Sequence, residues 1–114
     1  VAFNICIGNT DDHFRNHGFL LTAKGWTLSA AYDMNLTLNE YQSLLINSYT
    51  NKSDLNELLN SCEEYMLQKH IAQQIISEVL NAVKEWRLLA TRLGIAKSEQ
   101  ERFSSVFDRQ NLSI

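Results

Sequence analysis

With 114 residues the chain has room for one compact domain and not for two of ordinary size, which disfavours a complete large enzyme. Apolar residues make up 45% and charged residues 20%, with a mean hydropathy of -0.23, so a packed core is expected and a disordered tail is not. Ten Lys and Arg against 13 Asp and Glu leave a net charge of -3, which provides no field for sequence-independent binding of DNA or of an anionic membrane.

In chain order, Val1 to Ile7 is short and apolar and fits either a strand or the closing turns of a helix begun upstream. We read it as the helix end, with Gly8 as its stop. The β-branched and aromatic content of Phe19-Leu20-Leu21-Thr22 and Trp26-Thr27-Leu28 predicts two strands. Ala23-Lys24-Gly25 would join them as a tight hairpin, with Gly25 at positive φ. Residues 34–52 read as a loop around a short Leu44-Leu45-Ile46 strand. Asp54 with Glu57, or Ser53 one place earlier, caps a helix that buries Leu55, Leu58 and Leu59. Ile71, Ile75 or Ile76, Val79, Val83, Trp86, Ala90 and Leu93 then recur at helical spacing, predicting one long amphipathic helix ended by Gly94. Gln73, Gln74, Glu78, Asn81, Lys84 and Glu85 form its wet face. Ser98-Glu99-Gln100-Glu101 reads as a capping box opening a last helix that carries Phe103, Val106 and Phe107. Trp26 and Trp86 both sit at apolar-periodic positions and are expected to anchor the core.

No apolar run exceeds three residues, so neither a bilayer span nor a signal-peptide core is present, and the chain reads as soluble and cytoplasmic. Cys6 and Cys62 lack the spacing of a zinc site and are expected as reduced core residues. There is no initiator Met, which suggests a piece of something longer.

The chemistry concentrates in Gly8-Asn9-Thr10-Asp11-Asp12-His13-Phe14-Arg15-Asn16-His17-Gly18, a polar stretch between two apolar ones. Asp33 follows the second strand, and the hairpin could return it to this loop. Phosphoryl transfer needs one carboxylate to orient the acceptor hydroxyl and oxygen ligands for magnesium. In eukaryotic-like kinases the carboxylate is an Asp, one ligand is an Asn five positions on, and a second Asp lies beyond a β-hairpin. Asp11, Asn16 and Asp33 have that order. Bland readings stand beside this one. Asp11 and Asn16 could belong to a polar turn held by their own side chains. Asp12 is expected to face solvent or cap a turn, since adjacent carboxylates repel when both point inward. His13 and His17, four apart, could share a metal on a helix, the basis of a rival metal-dependent hydrolase. His17 is otherwise structural, Arg15 a phosphate contact or a solvated cation, and Tyr32 a ring packed in the core or stacked near nucleotide.

The segment Asn9 to Phe19, followed by Gly25-Trp26-Thr27-Leu28-Ser29-Ala30-Ala31-Tyr32-Asp33, resembles the C-terminal kinase region of the HipA family, the toxin kinases of bacterial type II toxin–antitoxin modules. Its D-x-H-x-x-N core is also similar to the catalytic loop of phosphatidylinositol kinases, which would change only the acceptor. Ala30 stands where HipA members commonly have proline. We expect an α+β, mainly helical fold over residues 1–114, with a catalytic loop and small β-hairpin (1–50) packed on a helical bundle (51–114), which the resemblance makes a partial kinase-like C-lobe. Nothing in the chain matches the family's Gly-rich phosphate loop, ATP-binding lysine or regulatory serine. The resemblance further implies Asp11 as catalytic base, Asn16 and Asp33 as Mg2+ ligands, and His13, Phe14, Arg15, Asn16, Tyr32 and Asp33 around ATP. The implied activity is that of a serine/threonine protein kinase acting in growth inhibition or persistence. Its implied partners are a HipB-like DNA-binding antitoxin, so that DNA is met only through it, and a protein substrate such as an aminoacyl-tRNA synthetase. The other reading is a noncatalytic helical module that binds an antitoxin or another protein.

Overall fold

Gly8 terminates the first helix, α1 (Ala2–Ile7), in the left-handed conformation (φ 69°, ψ 27°), and its amide closes on Ile5 O, as the sequence led us to expect. The computed structural model describes residues 1–110, so the last four residues of the expected helical part, 111–114, lie outside the described residues. Ile5, Cys6 and Ile7 are buried at the centre of the core with Ile46, Leu55, Leu58, Leu59, Cys62, Ala72, Ile76 and Val83. Ile5 and Leu55 are completely excluded from solvent, each contributing about 1.5–3 kcal/mol of transfer free energy.

After a polar loop, β1 (Phe19–Thr22) and β2 (Gly25–Leu28) pair antiparallel with Phe19 opposite Leu28 and Leu21 opposite Trp26. The connection is two residues rather than three, because Gly25, at φ 107°, already pairs with Thr22. Phe19, Leu21, Trp26 and Leu28 share one face by register, and that face is exposed. Trp26 is 72% accessible, so it is not a core anchor. The β-propensity of these residues forms the hairpin, but no element lies over it among the described residues.

The expected strand at Leu44-Leu45-Ile46 does not form. Asn47 Oδ1 accepts the amides of Tyr49 and Thr50 and turns the chain immediately after Ile46, leaving one isolated bridge between Tyr41 and Lys52. Ile46 enters the core while Leu45 stays exposed. The cap of α2 (Leu55–Asn60) is as expected: Asp54 Oδ1 accepts from Asn56 N at 2.8 Å, and Leu55, Leu58 and Leu59 are buried.

The long amphipathic helix is two helices, α3 (Lys69–Val83) and α4 (Trp86–Arg92), separated at Lys84 and Glu85. Contacts with α5 (Lys97–Asp108) account for the break. The Trp86 and Phe107 rings stack with centroids 4.4 Å apart, and Arg87 reaches Asp108 at 2.9 Å and Glu101 at 3.6 Å. The buried stripe of α3 runs through Ala72, Ile76 and Val83, so Ile71 and Ile75 are left partly exposed. Gly94 (φ 78°) closes α4 as expected, with Ile95 N bonded to Ala90 O. The start of α5 differs: Ala96 is its N-cap and Ser98 lies inside the helix, so the capping box is not used. At the other end, Gln110 Nε2 donates to Ser53 O at 2.8 Å and its Oε1 accepts from Leu55 N at 3.3 Å, fastening α5 to the start of α2. The architecture of the described residues is thus α+β and mainly helical, with a two-stranded sheet whose residues, apart from Gly25, stay exposed beside the helices instead of packing on them as expected. Among the described residues no helix is long and apolar enough to cross a membrane. Both cysteines are buried and free.

Candidate functional site

The loop that leaves α1 has no regular structure until the single 3-10 turn Phe14–Asn16, whose ends are joined by Asn16 N to His13 O (2.9 Å) and His17 N to Phe14 O (3.1 Å). Asn16 Nδ2 donates to Asp11 O at 2.6 Å, so the turn folds Asn16 back onto Asp11. The Asp11 side chain is exposed, with His13 Nε2 3.4 Å from its Oδ1, and His13 Nδ1 is buried without a hydrogen-bond partner. Phe14 and Arg15 face solvent.

Asp12, expected to face solvent or cap a turn, does neither. It is 5% exposed, and its Oδ1 accepts from Ser43 N at 3.0 Å. Two adjacent carboxylates are accommodated by sending one inward onto a backbone amide and the other outward, which avoids the repulsion that two inward carboxylates would suffer. His17 Nε2 lies 3.3 Å from Asp12 O. Both histidine positions have extended backbone, so the one-face geometry that a shared metal would need is absent. Among the described residues no group of three His, Cys, Asp or Glu side chains could hold a metal ion.

The hairpin returns the chain to this loop. Ser29 N donates to Gly18 O at 2.7 Å, and Tyr32 Oη donates to Arg15 O at 2.7 Å. Tyr32 is therefore a surface tether, 45% exposed as a residue instead of packed in the core. A cavity of about 210 Å³ opens between the two segments, its walls including Asn4, Asn9, Asp12, Asn16, Ser29 and Tyr32. Asp33 follows Tyr32 with φ 53°, a left-handed conformation that Asp tolerates better than most residues, and its Oδ1 accepts from Asn35 Nδ2 at 3.1 Å. Neither Asp11 nor Asp33 lines the cavity, and no hydrogen bond joins Asp33 to Asn16 or Asp11. The donor chemistry suits a hard divalent cation: Asn16 Oδ1 and the Asp33 carboxylate are both oxygen donors, and the amide nitrogen of Asn16 is already committed to Asp11 O.

The segment 37–43 carries contacts that sequence reasoning missed. Thr37 N donates to Gly8 O at 2.8 Å, Gln42 Nε2 to Asn9 O at 2.9 Å, and Ser43 N and Oγ to Thr10 O at 2.9 and 2.6 Å. Thr10 Oγ1 and Thr37 Oγ1 lie 2.6 Å apart. The only sequence signal was a polar run inside a segment read as loop. The partners stand about thirty positions away, beyond any local pattern.

A family model described as HipA-like C-terminal domain matches residues 1–87 of the chain. No curated protein and no solved structure matches it.

Proposed function

The chain belongs to the HipA-like C-terminal domain family, and from that membership we propose that it supplies the catalytic loop of an ATP-dependent serine/threonine protein kinase. In this reading the loop, hairpin and helices are part of a kinase-like C-lobe. Asp11 orients the acceptor hydroxyl and takes its proton, a task suited to an exposed carboxylate steadied by a neighbouring imidazole. Asn16 and Asp33 are the residues that would hold magnesium, and the ion when bound neutralises charge on the phosphates. His13, Phe14, Arg15 and Tyr32 border the nucleotide's phosphates. A DNA-binding antitoxin and a protein acceptor belong to the same reading, which rests for them on the family alone.

The observation that carries the reading is the tether from Tyr32 Oη to Arg15 O. It brings the backbone next to Asp33 against the turn that ends in Asn16, which is what a shared site across a hairpin requires. The test is phosphate transfer from labelled ATP to proteins of a cell lysate by the complete gene product. Asp11→Asn and Asp33→Asn should each lower transfer at least about 100-fold while the far-ultraviolet circular dichroism is unchanged. Retention of more than about a tenth of wild-type turnover in either variant would refute the assignment.

A second reading, a noncatalytic protein-binding module, draws on an apolar groove of about 760 Å³ bordered by Phe3, Leu36, Leu88, Leu89, Leu93 and Phe103. It gains if the wild-type gene product transfers no phosphate and Leu89→Asp releases a bound partner.

A further inference from the structure

We infer that residues 37–43 form a clamp that sets the position of the Asp11–Asn16 loop, and that Asp12 and Gln42 are its positioning residues rather than members of the reacting group. The inference rests on the kinase reading above for its functional consequence, but its geometry stands apart from that reading.

The clamp grips almost every residue of the segment that leads to Asp11. Gly8 O is taken by Thr37 N and, at 3.0 Å, by Thr37 Oγ1. Asn9 O is taken by Gln42, Thr10 O twice by Ser43, and the Asp12 carboxylate holds the same Ser43 amide. Gln42 is 2% exposed and is itself fixed, since Asn51 Nδ2 donates to Gln42 O at 2.8 Å and Gln42 N donates to Asn51 O at 2.7 Å. Asn9, Thr10 and Asp12 are buried, and Asp11 alone among them projects an exposed side chain. Asp12 makes no ion pair among the described residues. Burying a carboxylate is costly, and here one of its oxygens is used on a single backbone amide thirty-one positions away. Its inward anchoring fixes the backbone on the C-terminal side of Asp11, as Gln42 and Ser43 fix it on the N-terminal side. Displacing a reacting group by about 1 Å costs roughly a hundredfold in rate, so such a clamp bears on turnover without touching substrate.

Three variants of the complete gene product test this, with Asp11→Asn beside them. Asp12→Ala removes one of the two acceptors of the Ser43 amide and leaves it Thr10 O alone. Gln42→Met keeps the volume and removes the donor to Asn9 O. Each should lower kcat about 10- to 100-fold with KM for ATP within about twofold of wild type. Asp12→Asn keeps an oxygen for the Ser43 amide and should return kcat to within about threefold. An Asp12→Asn protein as inactive as Asp12→Ala would mean that the charge takes part in the chemistry and would overturn the positioning role. Full turnover per folded molecule in Asp12→Ala or Gln42→Met would overturn it as well.

Hydrogen exchange needs no turnover and separates the clamp from the kinase reading. Amides of residues 9–17 should exchange at least about tenfold faster in Gln42→Met than in wild type, while α2 and α3 keep their protection. Unchanged exchange there would sink the clamp even if Asp12→Ala fails to fold. Activity retained by Asp11→Asn would sink the kinase reading and leave the clamp to the exchange result.

Discussion

Gly8→Ala probes the junction between helix and loop directly. A Cβ built on Gly8 would overlap Val106 Cγ1 and come within 3.0 Å of Thr37 O, and the residue sits at φ 69°. The left-handed backbone costs an L-residue about 1–2 kcal/mol, and forcing a methyl into a filled interior about 1–3 kcal/mol more. The smaller conformational entropy of alanine in the unfolded chain returns about 0.4–1 kcal/mol. We therefore expect a net loss of about 2–4 kcal/mol, a large share of the 5–15 kcal/mol typical of a domain. Urea denaturation followed by Trp fluorescence measures it, since Trp86 stacks on Phe107 of the same helix that carries Val106. Val106→Ala alone should cost about 1.5–3 kcal/mol, because Val106 is 2% exposed. The double variant removes the overlapping methyl but not the backbone strain, so its loss should fall short of the two single losses combined by about 1–2 kcal/mol. A Gly8→Ala loss below about 1 kcal/mol, or strict additivity with Val106→Ala, would refute the packing on which the expectation rests.

Two further predictions concern the scaffold. Asp54→Ala should destabilise by about 1 kcal/mol, read as a lower urea midpoint at unchanged slope, while Asp54→Asn should hold close to wild type because it still accepts from Asn56 N. Burial pushes the Cys6 thiol up to about 11 from an ordinary 9.0. The fold therefore favours the protonated form, and its contribution is intact below pH 9 and lost as pH rises through 11. That loss is about 2–3 kcal/mol. Cys6→Ala should make the decline in stability between pH 9 and pH 11 shallower by that amount, and an equally steep decline would count against Cys6 as its source.

The parts of the fold that were legible in the sequence are those decided within a few residues. Gly8 and Gly94 stop helices because only the left-handed conformation lets the chain leave there, and the Asp54 cap bonds two positions ahead. The break at Lys84 and Glu85 was not legible. Nothing local distinguishes it from the rest of an apolar stripe, and what decides it is the ring of Phe107 and the carboxylates of Glu101 and Asp108, all from α5. Ser98 failed as a cap for a related reason: Ala96 already serves as the N-cap, and the helix begins at Lys97, one residue before the capping signal. Trp26 shows the opposite limit. Its β-propensity correctly predicts a strand, but propensity does not say which face of a hairpin is covered.

The candidate site divides in the same way. The loop was legible because carboxylates, carboxamides and imidazoles crowd between two apolar stretches, but the direction of each side chain was not. Asp12 points inward because Ser43 offers an amide, and Ser43 is there because residues 37–43 return to residues 8–12. That return depends in turn on α5. Val106 packs beneath Gly8, and Arg109 Nη2 donates to Asn39 O at 3.0 Å inside the clamp itself. Gln110 ties the same end of α5 to Ser53 and Leu55, the residues that follow the clamp in the chain. The family model matches residues 1–87 and stops before any of these three side chains. The loop that carries the family motif is thus supported from below by a helix outside the matched residues. Changes at Val106 or Arg109, more than ninety positions from Asp11, should therefore act on the loop through Gly8 and Asn39.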